Sequence, residues 1–315
     1  MGNYLLTRTL SLLFALFGIS AIIFVLIRMI PGDTVTSIMG TTVNSPEAAA
    51  AMRAYFGLDQ PIWKQYAHWL SQFLHGNISM SWRNHIPVTD IILQRIPVTI
   101  ELTVLAMLIS TLFGVPLGVV AAVKRNTWVD SSLNVLSTVS LSIPEFFQSI
   151  AMIVFFSNTL HWIPSVRYVS FLESPAQNLV IMLLPALSIG TVRAANVVRM
   201  TRTCMLEVLS SQYVIAARAK GLSEKAVIFK HALRSALIPI VTIIGLQVGY
   251  LMSGAVVVEM VFSLPGIGRL LILSITQRDF PLVQGITLVI SFLFLTTNLL
   301  IDILYSFIDP RVSHA

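Results

Sequence analysis

The chain has 315 residues, of which 56% are apolar and only 11% are charged, and its mean hydropathy is +0.83. Soluble domains carry about 25% charged residues, so this composition excludes a water-soluble globular protein and indicates a polytopic membrane protein. The net charge of +6 does not require a nucleic-acid partner, because Lys and Arg cluster between the apolar runs, as on the cytoplasmic loops of membrane proteins.

The first 30 residues predict an uncleaved membrane span. An apolar run at 10–27 follows Arg8. At about 18 residues this run is longer than the core of a signal peptide, about 7 to 15 residues, and no A-x-A cleavage site follows it. We therefore interpret residues 1–30 as the first transmembrane helix, with its N-terminus in the cytoplasm.

Residues 31–96 form the longest polar region and predict an extracytoplasmic loop with amphipathic helices. Ser45, followed by Pro46 and Glu47, is a good helix start. Aromatic side chains then recur at helical spacing, as is typical of a helix at a membrane surface. They are Trp63, Tyr66, Trp69 and Phe73. This stripe suits either a contact surface for an extracytoplasmic partner or a helix packed on the protein's own outer face.

Five further apolar runs within residues 97–308 are each long enough to cross a bilayer, which takes about 20 residues. They cover 97–123, 129–160, 177–198, 236–261 and 282–308. Pro144 is expected to divide the third span and Pro116 to kink the second. The fifth span carries glycines that permit close helix packing, at Gly245, Gly249 and Gly254. The chain is therefore predicted to be all-α, with six transmembrane helices.

Few ionisable or strongly polar residues fall inside these runs. Glu101 is placed in the first turn of the second span, where the helix dipole favours an acid. Arg193 is close enough to the predicted cytoplasmic end of the fourth span to snorkel, so a role in a substrate pathway is the less favoured interpretation. Asn298 and Asp302 are four residues apart on one helical face and are candidates for an interhelical polar pair.

The distribution of charge predicts the orientation. Six spans put both termini, including the polar tail at 309–315, in the cytoplasm. The inner segments that follow from this topology carry most of the Lys and Arg residues, and the short outer loops carry few. This agrees with the positive-inside rule.

Residues 199–235 form the most basic inner segment, with seven basic residues and two acids, and such charge attracts anionic lipid. Within it begins a helix, glycine, helix pattern at 211–239. Small side chains at Ala216, Ala217 and Ala219 let a helix backbone approach another surface closely, as in a groove on a partner protein. Gly221 supplies a left-handed stop, and Ser223 is placed to cap the second helix.

Motifs for catalysis and for cofactor binding are missing from the sequence. PGIGR at 265–269 lacks the GxxxxGK[ST] spacing of a phosphate loop, and the six histidines form no HExxH pair. There is no GxSxG elbow. Cys204 is the single cysteine, which allows neither an internal disulfide nor a CxxC metal pair. We predict no catalytic, cofactor-binding or metal-binding residues.

Ile215, Ala216 and Ala217, with Gly221 after them, resemble the EAA loop of permease subunits of binding-protein-dependent ABC importers. The adjoining HALRSALIP at 231–239 is similar to the dipeptide, oligopeptide and nickel branch of that family. The likeness continues in order along most of the chain. It includes IPGD at 30–33, GLDQP at 57–61, VTIELT at 98–103, GVPLGVVAAVKR at 114–125, RMTRTCMLEVLSSQY at 199–213, FSLPGIGR at 262–269, RDFPLVQ at 278–284 and DPR at 309–311.

The chain departs from the general EAA pattern at two places. The pattern begins with glutamate where this chain has Ile215, which removes a possible charged contact. It often ends I-x-L-P, where residues 231–234 read HALR. The second departure is the usual form in the peptide and nickel branch, so it favours that branch over the rest of the family.

The resemblance implies a type I ABC importer permease fold and a set of partners. The chain would be one of two permease subunits that form the translocation path in the lipid bilayer. Two cytoplasmic ATPase subunits would bind the ATP and push on the EAA segments, and an extracytoplasmic substrate-binding protein would deliver the substrate. The residues implied in ATPase coupling are Tyr213, Ile215, Ala216, Ala217, Ala219, Lys220, Gly221, His231, Leu233 and Arg234.

The resemblance further implies a bacterial inner-membrane importer of peptide-like substrates, di- or oligopeptides. Nickel, metal chelates and glutathione are alternatives, because the corresponding permeases share this pattern. An ion-coupled secondary transporter is the less favoured hypothesis. Its candidate ionisable residues, Glu145, Arg193 and Asp302, lie near span ends or a kink, and no internal repeat is visible.

Overall fold

The computed structural model describes residues 2–29, 47, 59–162 and 167–308, without the side chains of 2–5, 252–254, 302 and 304–308. The α-helices are α1 (Gly2–Met29), α2 (Ile62–Leu74), α3 (Val88–Val123), α4 (Trp128–Ser142), α5 (Glu145–Leu160), α6 (Pro175–Leu209), α7 (Gln212–Ala219), α8 (Leu233–Gly254), α9 (Val256–Val261), α10 (Ile267–Thr276) and α11 (Phe280–Ile308). A π-helix, Ala226–Ala232, precedes α8. Over these ranges no strand occurs, which confirms the all-α prediction. The helix start at Ser45, the IPGD and DPR motifs and the tail at 309–315 lie outside the described residues.

The predicted number of membrane spans agrees with the helices observed. Five are long and apolar enough to cross a bilayer by themselves: α1, α3, α6, the continuous helix at Ala226–Leu251, and the first part of α11. The sixth is the pair α4 and α5, which meet at a bend of 105°. Pro144 stands at this break, as predicted, because a proline inside a helix removes a backbone hydrogen bond and forces the preceding residue out of helical geometry. Ile143 is accordingly extended, with φ −85° and ψ 126°.

The second span starts earlier than the sequence predicted. Its helix, α3, begins at Val88 and passes through Pro97, the predicted first residue of the span. Glu101 is therefore not in the first turn, and the acid found there is Asp90. Glu101 instead accepts a hydrogen bond from the Tyr168 hydroxyl at 2.8 Å, so it contacts the loop before α6.

The core of the bundle is the contact between α3 and α6, the most extensive between any two of the described helices. Leu102, Met182 and Ile189 are almost completely buried there. Glycines let the two backbones approach closely, since a Cβ atom on Gly118 would lie 2.8 Å from the Val198 carbonyl oxygen. Small residues drive helix association in membranes because they maximise van der Waals contact.

Helices α8 and α11 pack in a similar way. A Cβ atom on Gly245 would lie 2.8 Å from Ile301, and one on Gly249 would lie 3.0 Å from the Asn298 amide oxygen. The predicted role of these two glycines in close packing is therefore confirmed. The side chain of Asp302 is outside the described part of the structure, so its pairing with Asn298 stays a prediction.

Aromatic residues of α2 pack on α1. Phe24 is fully buried, and its ring lies 5.2 Å from that of Tyr66 and 5.5 Å from that of Trp69, centroid to centroid. The Tyr66 hydroxyl shares a hydrogen bond of 2.7 Å with the Ser20 hydroxyl. This part of the predicted stripe therefore packs on the protein itself. Trp63 points away and is 67% exposed.

The glycine-containing segment before α10 binds a carboxylate of the chain itself. Glu259 of α9 is fully buried, and it accepts hydrogen bonds from the Thr99 hydroxyl at 2.6 Å and from the Arg269 backbone N–H at 2.8 Å. The start of a helix has unpaired N–H groups that favour an anion, and Glu259 occupies this position on α10. A Cβ atom on Gly266 would overlap the carboxylate, which explains the glycine.

Arg193 has a different environment from the one predicted. It lies near the middle of α6 and not near its end. Its guanidinium forms an ion pair with Glu145, at 2.8 Å. Because Pro144 turns the chain, α5 begins with Glu145 beside α6, a neighbour that lies too far away in sequence to be recognised from spacing.

We predict that Gly118→Val destabilises the protein by about 1–3 kcal/mol, the usual cost of overpacking a well-packed contact. The measurement is the midpoint of thermal unfolding of the purified protein in detergent. Gly18→Val is the matched control, because a Cβ atom on Gly18 of α1 meets nothing within 4 Å. Equal midpoints for the two variants would contradict the role given to the contact between α3 and α6.

Candidate functional site

Residues 211–239 fold as the helix, glycine, helix unit that the sequence predicted, and they cap one end of the bundle. Helix α7 leads through Gly221 into the π-helix and then into α8. The unit is attached by a buried apolar cluster that also includes the ends of α3 and α6 nearest to it. The cluster consists of Val119, Ala122, Met205, Val214, Ala217, Val227, Ala232, Ala236 and Ile240.

The two faces of α7 have different surroundings. Val214 and Ala217, three residues apart, are buried in the apolar cluster. Ile215 is 51% exposed, and Ala216 and Ala219 are also exposed. Ala217, predicted together with Ala216 and Ala219 to let α7 approach a partner closely, has its methyl group packed against the protein itself. The open surface of α7 therefore contains two of the three predicted alanines.

The turn after α7 has the geometry predicted for Gly221. Its φ is +77°, the left-handed conformation that glycine adopts without strain. The Gly221 N–H donates to the Arg218 carbonyl at 2.9 Å, and the Leu222 N–H donates to the Ala217 carbonyl at 3.4 Å. These two bonds form a Schellman motif, which ends a helix by satisfying its last carbonyls. A Cβ atom on Gly221 would meet nothing within 4 Å, so the backbone conformation, not crowding, calls for glycine.

Polar contacts across the turn are weaker. Arg218 and Glu224 form an ion pair at 2.9 Å, but their side chains are 40% and 62% exposed, and such surface pairs contribute at most about 1 kcal/mol. Ser223 accepts a long hydrogen bond of 3.5 Å from the Ala226 N–H, in the capping position that the sequence predicted. The Schellman turn therefore holds α7 in place more than the ion pair does.

The π-helix at Ala226–Ala232 was not anticipated. A π-helix pairs residues five apart, and Val227 and Ala232, five apart, are both buried in the apolar cluster. Lys230 remains exposed, and His231 is half-buried. Apolar residues spaced by five are a weak signal in a short segment, which is why the sequence alone indicated an ordinary helix.

A cleft of about 700 Å³ opens between α7 and the start of α8. It is lined by Tyr213, Lys230, His231, Arg234, Ser235, Leu237, Ile238 and Val241. Three predicted coupling residues thus come together there, namely Tyr213, His231 and Arg234. Among the described residues that line the cleft there is no carboxylate, so its basic and hydroxyl groups favour an acidic or hydrogen-bond-accepting surface.

The remaining predicted coupling residues do not line the cleft. Lys220 and Gly221 are exposed at the turn, and Leu233 is half-buried against the apolar cluster. Five lining residues are outside the predicted coupling set, and two of them, Lys230 and Ser235, are polar. Lys230 could have been recognised, because it is four residues before Arg234 and so shares its helical face.

The exposed groups of the unit are more suited to docking than to holding a metal ion. Within the described residues, no three His, Cys, Asp or Glu side chains come together in a way that would hold a metal ion. The exposed groups of the unit are a small-residue helix face, a left-handed turn and a basic cleft. These are features of a protein contact surface.

Comparisons with known proteins place nearly the whole chain in one family. Residues 114–314 match the family model of the binding-protein-dependent transport system inner membrane component. Residues 1–103 match the model for the N-terminal part of such membrane components.

Several curated relatives span the full length of the chain. It is 40% identical over 339 residues to the dipeptide transport system permease protein DppB of Escherichia coli (strain K12), covering 100% of this chain and 99% of the relative. It is 40% identical over 314 residues to a putative peptide transport system permease protein of Brucella abortus (strain 2308), covering both chains completely. The glutathione transport system permease protein GsiC of Escherichia coli O6:H1 is 38% identical over 314 residues, again with both chains covered completely.

A solved structure shows the same fold. A chain from the MetNI methionine ABC transporter in inward-facing conformations matches with a TM-score of 0.55 at 16% identity. The match covers 70% of this chain and 96% of that one. The type I permease fold implied by the sequence is therefore confirmed.

We predict that Ala217→Arg destabilises the protein, because it forces a charge into the apolar cluster under α7. Burial of an unpaired charge costs several kcal/mol, so the midpoint of thermal unfolding should fall clearly. Ala216→Arg is the matched control on the exposed face of the same helix and should leave the midpoint unchanged. Equal loss of stability in both variants would show that α7 is oriented differently.

Proposed function

The chain belongs to the inner membrane components of binding-protein-dependent transport systems, and from this premise we propose that it carries short peptides across the membrane in an ATP-driven importer. The observation that carries the proposal is the similarity, over the full length, to permeases named for dipeptides and peptides, at 40% identity. Glutathione is the second candidate substrate. It is favoured by the 38% identity to a glutathione permease, and it is itself a tripeptide.

Residues 211–239 are proposed to bind a cytoplasmic ATPase subunit, which holds the ATP. Support comes from the exposed face of α7 around Ile215 and Ala216 and from the basic cleft beside it. The same unit rests on the apolar cluster that includes the ends of α3 and α6, and it continues through the π-helix into α8. A push on α7 would therefore move three spans together.

The other subunits follow from the same family. We propose a second permease subunit, which completes the translocation path, a second ATPase subunit, and an extracytoplasmic binding protein that delivers the peptide. The orientation has both termini in the cytoplasm of a bacterial cell. It is supported by the basic residues between the spans, which would then face inward.

The test of this function is reconstitution of the chain with its permease, ATPase and binding-protein partners in liposomes. Uptake of labelled dialanine should require ATP, the binding protein and the ATPase subunits together. Uptake of dialanine by the purified chain alone, driven by an ion gradient, would contradict the proposal and establish a secondary transporter. A complex that imports glutathione but not dialanine would favour the second candidate.

We predict that Gly221→Val lowers ATP-driven uptake by about fivefold or more, because a β-branched residue in the left-handed conformation costs about 1–2 kcal/mol and shifts α7 from its position. Gly221→Asn is the matched control. Its side chain is of similar size but tolerates this conformation, so uptake should stay close to that of the wild type. The measurement is the initial rate of dialanine uptake together with the rate of ATP hydrolysis. Normal uptake by both variants would mean that the turn does not set the position of α7.

A further inference from the structure

The ion pair between Arg193 and Glu145 lies deep in the membrane region of the protein. Arg193 is near the midpoint of α6, a helix of 35 residues and about 52 Å. The neighbouring Gly190 contacts Ile109, and Ala194 contacts Gly114, so Arg193 is level with residues 109–114 of α3, about ten residues before that helix ends at Val123. Ten helical residues rise about 15 Å, which is half of a hydrocarbon layer of about 30 Å, so the guanidinium lies well inside the spanning part of α3 and α6.

The polypeptide chain is broken at the same depth. Glu145 is the first residue of α5, directly after Pro144 and the bend of 105° between α4 and α5. Irregular backbone at this depth is tolerated only where protein covers it or where it lines a water-filled cavity. In secondary transporters, broken helices near the midplane are also where substrate sites lie. The break and the ion pair therefore mark one location.

The pair keeps unused hydrogen-bonding capacity. Arg193 contacts Glu145 through a single N–H, although a guanidinium has five. Within the described part of the chain, the buried Nε atom of Arg193 and the Oε1 atom of Gln148 have no hydrogen-bond partner. A pair with a purely structural role in a low-dielectric region would be expected to satisfy these groups, since each unsatisfied one is costly.

The pair is also partly open. The side chains of Arg193 and Glu145 are 19% and 28% exposed. Lipid on this open side would be unfavourable, because a charged residue at the centre of a span costs about 2.5–3.5 kcal/mol or more. The open side is therefore suited to a polar occupant.

Other contacts hold α5 on α6 without the ion pair. The Gln148 amide donates to the Thr191 hydroxyl at 2.9 Å, and the Ser188 hydroxyl donates to the Ser149 hydroxyl at 2.8 Å. Ser149 and Ser188 are almost completely buried. These hydrogen bonds join α5 to α6, so the ion pair is not needed to hold the two helices together.

We propose that Glu145 and Arg193 bind the charged termini of a peptide as it crosses the membrane, an inference that rests on peptide transport as the proposed function. A peptide is a zwitterion. Its ammonium group donates to the Glu145 carboxylate, and its carboxylate accepts from the free N–H groups of Arg193. In the empty site the two side chains neutralise each other, which avoids an isolated charge in the membrane. On binding, each exchanges its partner for one terminus of the peptide, so the site again holds no unpaired charge.

The test combines changes in the protein with changes in the ligand. Dialanine, dialanine amide and N-acetyl-dialanine are titrated calorimetrically into the complete permease and ATPase complex without the binding protein. For the wild type, amidation should weaken binding by about tenfold, the loss expected for a hydrogen bond to a charged group. For Arg193→Gln, dialanine should bind about tenfold more weakly, and amidation should have no further effect. Glu145→Gln should remove the effect of acetylation in the same way.

A double variant distinguishes loss of peptide binding from loss of folding. Glu145→Gln combined with Arg193→Gln leaves no unpaired charge and should assemble with its partners. Its binding should be insensitive to both modifications of the ligand.

Three results would contradict the proposal that Glu145 and Arg193 bind the peptide termini. One is an amidation effect of equal size in the wild type and in Arg193→Gln. Another is import of dialanine by a wild-type complex that shows no direct binding of it. The third is failure of the double variant to assemble, which would assign the pair to folding or to contact with a subunit. The proposed function fails separately, if the wild-type complex with its binding protein imports no peptide at all.

Discussion

The close approach of α3 and α6 is the contact on which the rest of the structure depends. Gly114, Gly118 and Gly190 remove the side chains that would keep the two backbones apart. In a bilayer, where lipid is as apolar as leucine, this packing supplies cohesion that the hydrophobic effect cannot. One end of the pair supports residues 211–239 through the apolar cluster, and Thr99 near the other end of α3 binds the Glu259 carboxylate that caps α10.

This arrangement explains how a short surface helix can act on the membrane spans. Val214 and Ala217 fix α7 to the ends of α3 and α6, and the π-helix joins the same unit to α8 without an intervening loop. Close-packed interiors transmit displacement because they compress little. The other face of α7 is exposed, so the proposed ATPase-binding surface would lie on an element that is firmly packed against the spans.

The sequence predicted the features that depend on local chemistry. Apolar length identified the spans, Pro144 the break, and Gly221 the left-handed turn. Features that depend on distant neighbours were missed or misjudged. Snorkelling was expected of Arg193 from its distance to the span end, since its partner Glu145 comes from another helix that spacing does not reveal. The start of α3 was predicted at Pro97, where the apolar run begins, although the helix itself begins at Val88. The inward orientation of Ala217 was misjudged because three alanines on an eight-residue helix do not define a face.

The central claim is that the exposed face of α7 binds an ATPase subunit. It is tested most directly by a photo-reactive benzoylphenylalanine in place of Ile215, which is 51% exposed, in membranes that contain the partner subunits. The same group in place of Val180, 45% exposed on α6 and remote from α7, is the control. Illumination should join the chain to an ATPase subunit from position 215 and not from position 180. An intact complex that gives no ATPase adduct from position 215, or equal adducts from both positions, would contradict the account.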